Sequence, residues 1–189
     1  MTPQIQPWRT LATRELLDCR PWLRVSAERV RLPNGHEIDA FYHIDMPEWA
    51  QIFAVTADGR VPLIEHWKQG ARALSLELPA GYLDDGESAE VAARRELREE
   101  TGVEAADWRC LGRFFMDGNR GCGASHIFLA QGARVVGAPQ REDSEIMAQH
   151  WLTLAEVRAA WLGGRIRNIA ALAAVGLALA ALEGDDAPD

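Results

Sequence analysis

The amino-acid sequence predicts an α/β fold: a sandwich of mixed β-sheets with three helices and an N-terminal antiparallel β extension. Three observations predict it. Several segments alternate apolar and polar residues, which indicates strands with one face exposed. Tight-turn signals between the early segments indicate antiparallel pairing, and three later segments carry helix start or stop signals. With 189 residues, 48% of them apolar, the chain suits one compact domain plus an appendage.

The N-terminal segments predict a β-hairpin before a boundary at Pro47. Apolar residues alternate from Trp22 to Leu32 and from His36 to Ile44, on either side of the turn signal Pro33-Asn34-Gly35. The preceding residues are weakly patterned, and we expect a turn of helix over Thr10–Leu17.

The middle and end of the chain supply the remaining elements. A second hairpin is expected at Asp58-Gly59, where Pro62 predicts that the following strand begins late or lies at a sheet edge. Thr153 and Glu156 form a capping box for a helix ending at Gly163-Gly164. The other predicted elements are short strands at Leu74–Leu78, Arg109–Phe115, His126–Ala130 and Met147–Leu152, and an alanine-rich helix over Ile169–Leu182.

The most informative segment runs from Gly81 to Val103 and reads GYLDDGESAEVAARRELREETGV. Gly86 and Ser88 supply helix start signals and Gly102 a stop, so a helix is predicted between them. A helix with 3.6 residues per turn places three of its carboxylates on one face, those of Glu96, Glu99 and Glu100. Ala89, Ala92 and Ala93 fall on the same side, where small side chains are expected to leave room above the helix.

Three neighbouring carboxylates repel one another and would raise one another's pKa. A divalent cation reverses this effect, and oxygen ligands without a local histidine or cysteine set favour Mg²⁺, with Mn²⁺ as a substitute. A solvated surface helix is the alternative for any single glutamate. That alternative does not explain the whole spaced pattern, because its nine positions would all match at a random start only on the order of once in a billion. The nine positions are Gly81, Glu87, Arg95-Glu96-Leu97, Glu99-Glu100 and Gly102-Val103.

The segment resembles the signature of the Nudix hydrolases, which cleave nucleoside diphosphates linked to another moiety. LELPAG at residues 76–81, AVTADGRVPLIEHWK at 54–68 and the closing GRIRNIAALAAVGLALAAL are similar to the ADP-ribose and ADP-sugar pyrophosphatase branch. The resemblance implies the Nudix α/β/α sandwich of mixed sheets. We expect a β extension at residues 1–47 for dimerisation and substrate contacts, a Nudix domain at 48–183, and a disordered tail at 184–189.

Site residues follow from the helix and the resemblance together. The expected metal ligands are Glu96, Glu99, Glu100 and the backbone carbonyl of Ala80, with Glu87 near the metal through water. Arg95 and Glu87 are expected to hold the loop and helix together through an ion pair, and Arg95 and Glu99 are counted among the catalytic residues. The resemblance implies a catalytic base in the acidic loop late in the chain, where Glu142 falls at the base position. Ser144 replaces a second glutamate often found in the family, and Glu145 is the alternative carboxylate. The expected substrate contacts are Lys68, Gly81, Arg120 and Trp22.

The expected reaction is Mg²⁺-dependent hydrolysis of ADP-ribose or a related nucleoside-diphosphate sugar to a nucleoside monophosphate and a sugar phosphate. The alternatives are another nucleotide, such as GDP-mannose, NADH or a dinucleoside polyphosphate, and a sensing module that binds without cleaving. The net charge of −8 argues against nucleic-acid binding, and the alanine-rich helix is short for a membrane span. Three cysteines without CxxC spacing and an N-terminus without an apolar stretch predict a cytoplasmic protein, and we expect a homodimer.

Overall fold

A computed structural model describes residues 5–141 and 143–185, and its backbone contacts divide the chain into two units. Unit 1 consists of Met1–Pro47 and Phe115–Ala124, and unit 2 of Glu48–Phe114 and Ser125–Asp189. Glu142, one of the two predicted bases, and residues 186–189, most of the predicted tail, lie outside the described residues.

Unit 1 contains the predicted hairpin. Strands β2 (Leu23–Arg31) and β3 (Glu37–Asp45) pair antiparallel, with Arg31 opposite Glu37. The Gly35 N–H donates to the carbonyl of Leu32 at 2.9 Å, and its φ of 86° is a value that glycine adopts without strain. The turn prediction is therefore confirmed.

The helix expected over Thr10–Leu17 is wrong, because these residues lie in strand β1 (Arg9–Cys19). This strand pairs antiparallel with β2 from Arg9 opposite Arg31 to Cys19 opposite Leu23. A short segment with no strong periodicity takes the conformation that a neighbouring strand offers, since pairing satisfies its backbone hydrogen bonds.

Unit 2 contains strands from two sheets. In the first, β4 (Trp49–Thr56) lies between β7 (Ala80–Tyr82), which is antiparallel to it, and β10 (Gly121–Val135), which is parallel. The short β8 (Val103–Glu104) and the long β9 (Asp107–Asp117) also pair with β10. In the second sheet, β5 (Arg60–Lys68) lies between β6 (Ala73–Glu77) and β11 (Met147–Thr153), antiparallel to both.

The turn at Asp58-Gly59 does not form the predicted hairpin, because β4 and β5 belong to different sheets. Pro62 also departs from the prediction, since β5 begins at Arg60 and is the central strand of its sheet. The ladder to β6 begins only at Ile64, so at Pro62 the strand pairs with β11 alone. A proline is tolerated where one side of the strand makes no ladder.

Three helices complete the described part of unit 2. Helix α1 (Ala89–Thr101) follows Ser88 and ends at Gly102. Helix α2 (Leu154–Leu162) begins with the predicted capping box, in which Thr153 and Glu156 bond reciprocally. Helix α3 (Ile169–Asp185) extends two residues beyond the predicted end of the domain at residue 183.

Strand β4 is buried on both faces and separates two apolar cores. Ala50, Ile52 and Ala54 pack with α1, and Phe53 and Val55 pack with β5, β6, α2 and α3. Helix α1 therefore lies on one side of the sheet and α2 and α3 on the other, which confirms the predicted sandwich of mixed sheets. None of the helices in the described ranges has both the length and the apolar content needed to cross a lipid bilayer.

Candidate active site

Helix α1 is fixed at both ends by its own sequence. The Ser88 hydroxyl accepts the N–H of Val91 at 3.3 Å, and Gly102 adopts a left-handed conformation with φ 69° and donates to the Arg98 carbonyl. These local contacts confirm the predicted helix and set which face its carboxylates share.

The small residues on the acidic side of α1 do not leave open space. Ala92 and Ala93 are fully buried and pack against β4 and β10. The expectation of room above the helix is wrong at these two positions, since short side chains here let the helix approach the sheet closely.

Arg95 is the centre of the charged network on this helix. Its guanidinium donates to both carboxylate oxygens of Glu87, at 3.0 and 2.9 Å, and to the Tyr82 carbonyl at 3.0 Å. The same guanidinium reaches Glu96 at 2.6 Å and Glu99 at 3.1 Å. One cation therefore joins the glycine loop to the first two carboxylates of the acidic face.

Glu100 is the most deeply buried carboxylate on the acidic face of α1. Burial raises its pKa to about 8, against the opposing hydrogen bond from the Ala80 N–H at 2.9 Å, and the charges of Glu96 and Glu145 raise it further. Burial also raises the pKa of Glu96, although Arg95 opposes the shift. The Ala80 backbone, Glu96 and the loop residue Glu145 therefore all act on the Glu100 carboxylate.

Gly81 leaves space that the Glu96 side chain occupies. A Cβ atom on Gly81 would overlap the Glu96 carboxyl carbon and both of its oxygens. Only a residue without a side chain allows this carboxylate to pack against the loop backbone.

The donor set fits a hard divalent cation. Within residues 5–141 and 143–185, no three acidic, histidine or cysteine side chains already form a metal-binding cluster, and Arg95 holds both Glu96 and Glu99. The candidate ligands are nevertheless oxygen atoms, and two of the carboxylates are buried at a cost that raises their pKa. A divalent cation offsets that cost directly, which is the chemistry expected of such a site.

Lys68 has a partner that the sequence did not indicate. Its ammonium lies 3.1 Å from a carboxylate oxygen of Glu77, which is 3% exposed, and His66 lies 3.7 Å from the same oxygen. Burial alone would raise the pKa of Glu77, but His66 and Lys68 outweigh it and lower the pKa to about 2. Lys68 also lowers the pKa of Glu100, so its charge reaches the acidic face.

The remaining predicted contacts belong to unit 1. Trp22 is 64% exposed, and Arg120 pairs with Asp117 at 3.3 Å at the tip between β9 and β10. The structure therefore brings Lys68, Gly81 and the acidic face together in unit 2, whereas Trp22 and Arg120 are described only within unit 1.

Sequence reasoning missed two residues. Glu77 lies within the LELPAG segment, but the residue pattern of that segment indicates no role for this side chain. Arg141 precedes the acidic loop and, among the residues that the structure describes, bonds to the backbone carbonyls of Glu100 and Met147. The signal for Arg141 in the sequence is its position directly before the acidic residues of the loop, which does not indicate the carbonyls it bonds to.

Two family models match the chain in succession. The first describes the N-terminal domain of nucleoside diphosphate sugar hydrolases and matches residues 8–44. The second describes the NUDIX domain and matches residues 46–172.

Curated relatives and a solved structure agree with these matches. The chain is 33% identical over 156 residues to an ADP-ribose pyrophosphatase of Mycobacterium tuberculosis, covering 78% of this chain and 72% of that protein. It is 30% identical over 118 residues to an ADP-ribose pyrophosphatase of Bacillus subtilis, covering 62% of this chain and 63% of that protein.

A solved structure, the crystal structure of an ADP compounds hydrolase, superposes with a TM-score of 0.82 at 22% identity, covering 98% of this chain and 99% of that one. At this identity the likeness bears on the fold alone. The fold, the acidic helix and the match over residues 46–172 lead to one conclusion: the chain belongs to the Nudix family and is a Nudix pyrophosphohydrolase.

Proposed function

We propose that the protein hydrolyses the pyrophosphate bond of ADP-ribose or a related nucleoside-diphosphate sugar, giving a nucleoside monophosphate and a sugar phosphate. The observation that carries the proposal is the pair of buried carboxylates Glu96 and Glu100, packed against the loop backbone of Ala80 and Gly81. The similarity to two ADP-ribose pyrophosphatases and the N-terminal match to nucleoside diphosphate sugar hydrolases support this substrate class.

Nudix hydrolases generally use divalent metals, and we assign Mg²⁺ here, with Mn²⁺ as a substitute. Glu96, Glu99, Glu100 and the Ala80 carbonyl would hold the ion, with Glu87 contributing through water. A bound divalent cation supplies charge neutralisation at the diphosphate and a more acidic attacking water.

The chain's own residues orient this chemistry. Arg95 and Glu87 hold the glycine loop against helix α1, so that the Ala80 backbone stays beside Glu100. The proton of the attacking water passes to a carboxylate of the acidic loop, Glu142 or Glu145, acting as general base. Glu145 supports this role, since its charge acts on both Glu96 and Glu100.

Substrate contacts are assigned by charge and exposure. Lys68 keeps a cation beside the acidic face and is assigned to the phosphate or sugar-phosphate side of the substrate. The backbone at Gly81 allows close approach, Arg120 is assigned to a phosphate, and the exposed ring of Trp22 is assigned to stacking on the base.

A homodimer is the proposed assembly, with residues 1–47 contributing dimerisation and substrate contacts to the Nudix domain at 48–183. Strand β1 is exposed along nearly all of its 11 residues, and unit 1 also exposes Trp8, Leu17, Trp22 and Tyr42. A long exposed strand with apolar neighbours is a template for pairing with another chain. We assign the enzyme to the cytoplasm and assign it no nucleic-acid partner.

Turnover of a sugar-nucleotide panel by wild type and Glu100→Gln tests the assignment. The amide oxygen of glutamine can still accept the Ala80 N–H, so the fold is retained. We expect kcat to fall by about two orders of magnitude or more, because a lost cation ligand removes several kcal/mol of transition-state stabilisation. Glu90→Gln is the matched control on the same helix, since Glu90 is exposed and bonds only to Arg94 among the contacts described.

The panel contains ADP-ribose, other ADP-sugars, GDP-mannose and NADH, each with saturating Mg²⁺. Hydrolysis of ADP-ribose or another sugar nucleotide, lost in Glu100→Gln and kept in Glu90→Gln, supports the proposal. A thermal shift with these ligands but no hydrolysis would indicate a sensing module instead. Equal turnover by wild type and Glu100→Gln would refute the assigned role of the acidic face.

A further inference from the structure

The C-terminal end of helix α1 is held by a later segment of the chain. Four successive carbonyls at this end accept hydrogen bonds from residues 136–149. Glu99 accepts from Gln140 N at 2.8 Å, Glu100 from the Arg141 guanidinium, Thr101 from Gln149 Nε2 at 3.2 Å, and Gly102 from Val136 N at 2.9 Å and Gly137 N at 3.3 Å. The last carbonyls of a helix lack intrahelical partners, and this segment supplies them.

Arg141 differs from the other donors because it bonds at two separate places. Its Nε and Nη2 donate to the Glu100 carbonyl at 2.9 and 2.7 Å, and its Nη1 donates to the Met147 carbonyl at 3.0 Å. Met147 is the first residue of β11. One half-buried guanidinium therefore fixes the two flanks of residues 142–146 to each other and to the end of α1.

The segment between these flanks carries the acidic residues from which the general base was assigned. Its described member Glu145 is half-buried, and its charge raises the pKa of both Glu96 and Glu100. The charge of Glu145 therefore reaches the acidic face of α1, although Glu145 belongs to a different segment. Its distance from that face depends on how the loop is attached to the helix.

We infer that Arg141 is a positioning residue that sets the placement of the base-carrying loop relative to the carboxylates of helix α1. The inference rests on the proposed function, because positioning matters only if the loop supplies the base. Arg141 is assigned no contact with the substrate. It acts through the Glu100 and Met147 backbone, and its positive charge also suits the negative end of a helix dipole.

The geometry requires arginine at this position. A guanidinium presents several N–H donors in a fixed plane, and Arg141 uses three of them on two carbonyls. A lysine has one nitrogen and cannot span both carbonyls with a rigid fork, so it would hold one flank of the loop but not both. Alanine would remove both attachments made by the guanidinium, leaving the upstream flank held by the bond from Gln140 N to the Glu99 carbonyl and the downstream flank by the pairing of β11 with β5.

Steady-state kinetics of Arg141→Ala, Arg141→Lys and Gln149→Ala, each in the full chain with ADP-ribose and Mg²⁺, test the inference. A displacement of about 1 Å at a reacting group can cost on the order of 100-fold in rate. We expect kcat of Arg141→Ala to fall about 10–100-fold, with KM and the Mg²⁺ activation constant within about threefold of wild type. Arg141→Lys should recover part of the loss.

Gln149→Ala is the matched control, because it removes a donor to the neighbouring Thr101 carbonyl and leaves the bonds of Arg141 to the Glu100 and Met147 carbonyls in place. It should lower the midpoint of thermal unfolding as Arg141→Ala does, yet keep kcat within about threefold of wild type. Circular dichroism of each variant reports the fold. If Arg141→Ala does not fold, a lowered kcat in folded Arg141→Lys supports the inference and a wild-type kcat overturns it.

The outcomes separate the inference from the proposed function. A wild-type protein that hydrolyses no sugar nucleotide would overturn the proposed function, before any variant is compared. An active wild type with unchanged kcat in Arg141→Ala would overturn the inference alone. An equal loss of kcat in Gln149→Ala would also overturn it, because the effect would then come from the stability of the helix end.

Discussion

Replacing Gly81 by alanine tests how closely the catalytic loop must approach helix α1. Gly81 pairs with Ala50 in the ladder between β7 and β4, which limits how far its backbone can move. The added Cβ would overlap the Glu96 carboxylate, whereas real Cβ atoms essentially never come within 3.0 Å of a heavy atom outside their own residue and its chain neighbours. Either the carboxylate or the loop has to move.

The size of the effect follows from that overlap. Glu96 is 8% exposed and is bonded to Arg95, so its carboxylate has little free space to enter. We expect an overpacking cost of about 1–3 kcal/mol in the free energy of unfolding. A displacement of a reacting group by about 1 Å should lower kcat on the order of 100-fold.

The measurement is kcat against Mg²⁺ concentration, for Gly81→Ala and for Gly70→Ala as the control. Neither glycine has a left-handed backbone, and a Cβ at Gly70 meets nothing within 4 Å. The control should therefore behave as wild type. A kcat for Gly81→Ala within about twofold of wild type would refute the reasoning that Glu96 must pack against this backbone.

Two further predictions concern the ion pair between Lys68 and Glu77 and the proposed homodimer. Glu77→Gln should lower the free energy of unfolding by about 1–3 kcal/mol at pH 7, more than Glu65→Gln on the same sheet. Because the pKa of Glu77 is lowered to about 2 in the folded protein, its stabilisation is present above its ordinary pKa of 4.5 and is lost as pH falls toward 2. Urea unfolding at pH 7 and pH 3 should show the difference shrinking, and a constant difference would contradict this account. Light scattering should give about twice the chain mass of 20.9 kDa, and a monomer mass at micromolar concentration would contradict the proposed dimer.

Features set by neighbouring residues could be predicted from the sequence. The turn at Pro33-Asn34-Gly35, the caps of α1 at Ser88 and Gly102, and the capping box at Thr153 each involve contacts within a few residues. The facing of Glu96, Glu99 and Glu100 follows from helical spacing alone. Helical spacing within α1 is therefore sufficient to predict the acidic face and the pairing of Arg95 with Glu99.

Features decided by distant parts of the chain could not be predicted in the same way. Asp58-Gly59 carries a good turn signal, but the strands on either side of it do not pair with each other. Strand β4 pairs with β10 and β7 instead, and β5 pairs with β11 and β6. The partner of Lys68 lies across a strand pair at Glu77, and Arg141 bonds to main-chain carbonyls, which leave no trace in residue type. Residues 10–17 form a strand for a similar reason, because their backbone hydrogen-bonds to the neighbouring strand β2.

The burial of β4 on both faces limits where insertions and deletions can be tolerated during evolution. Successive side chains of this strand alternate between the two cores, so inserting or deleting one residue would exchange the occupants of both layers at once. Length changes can be absorbed in the connections on either side, at residues 46–48 and 57–59, but not within the strand itself. Because the strand tolerates no insertion or deletion, its residues should correspond one to one between divergent relatives, even where their loops differ in length.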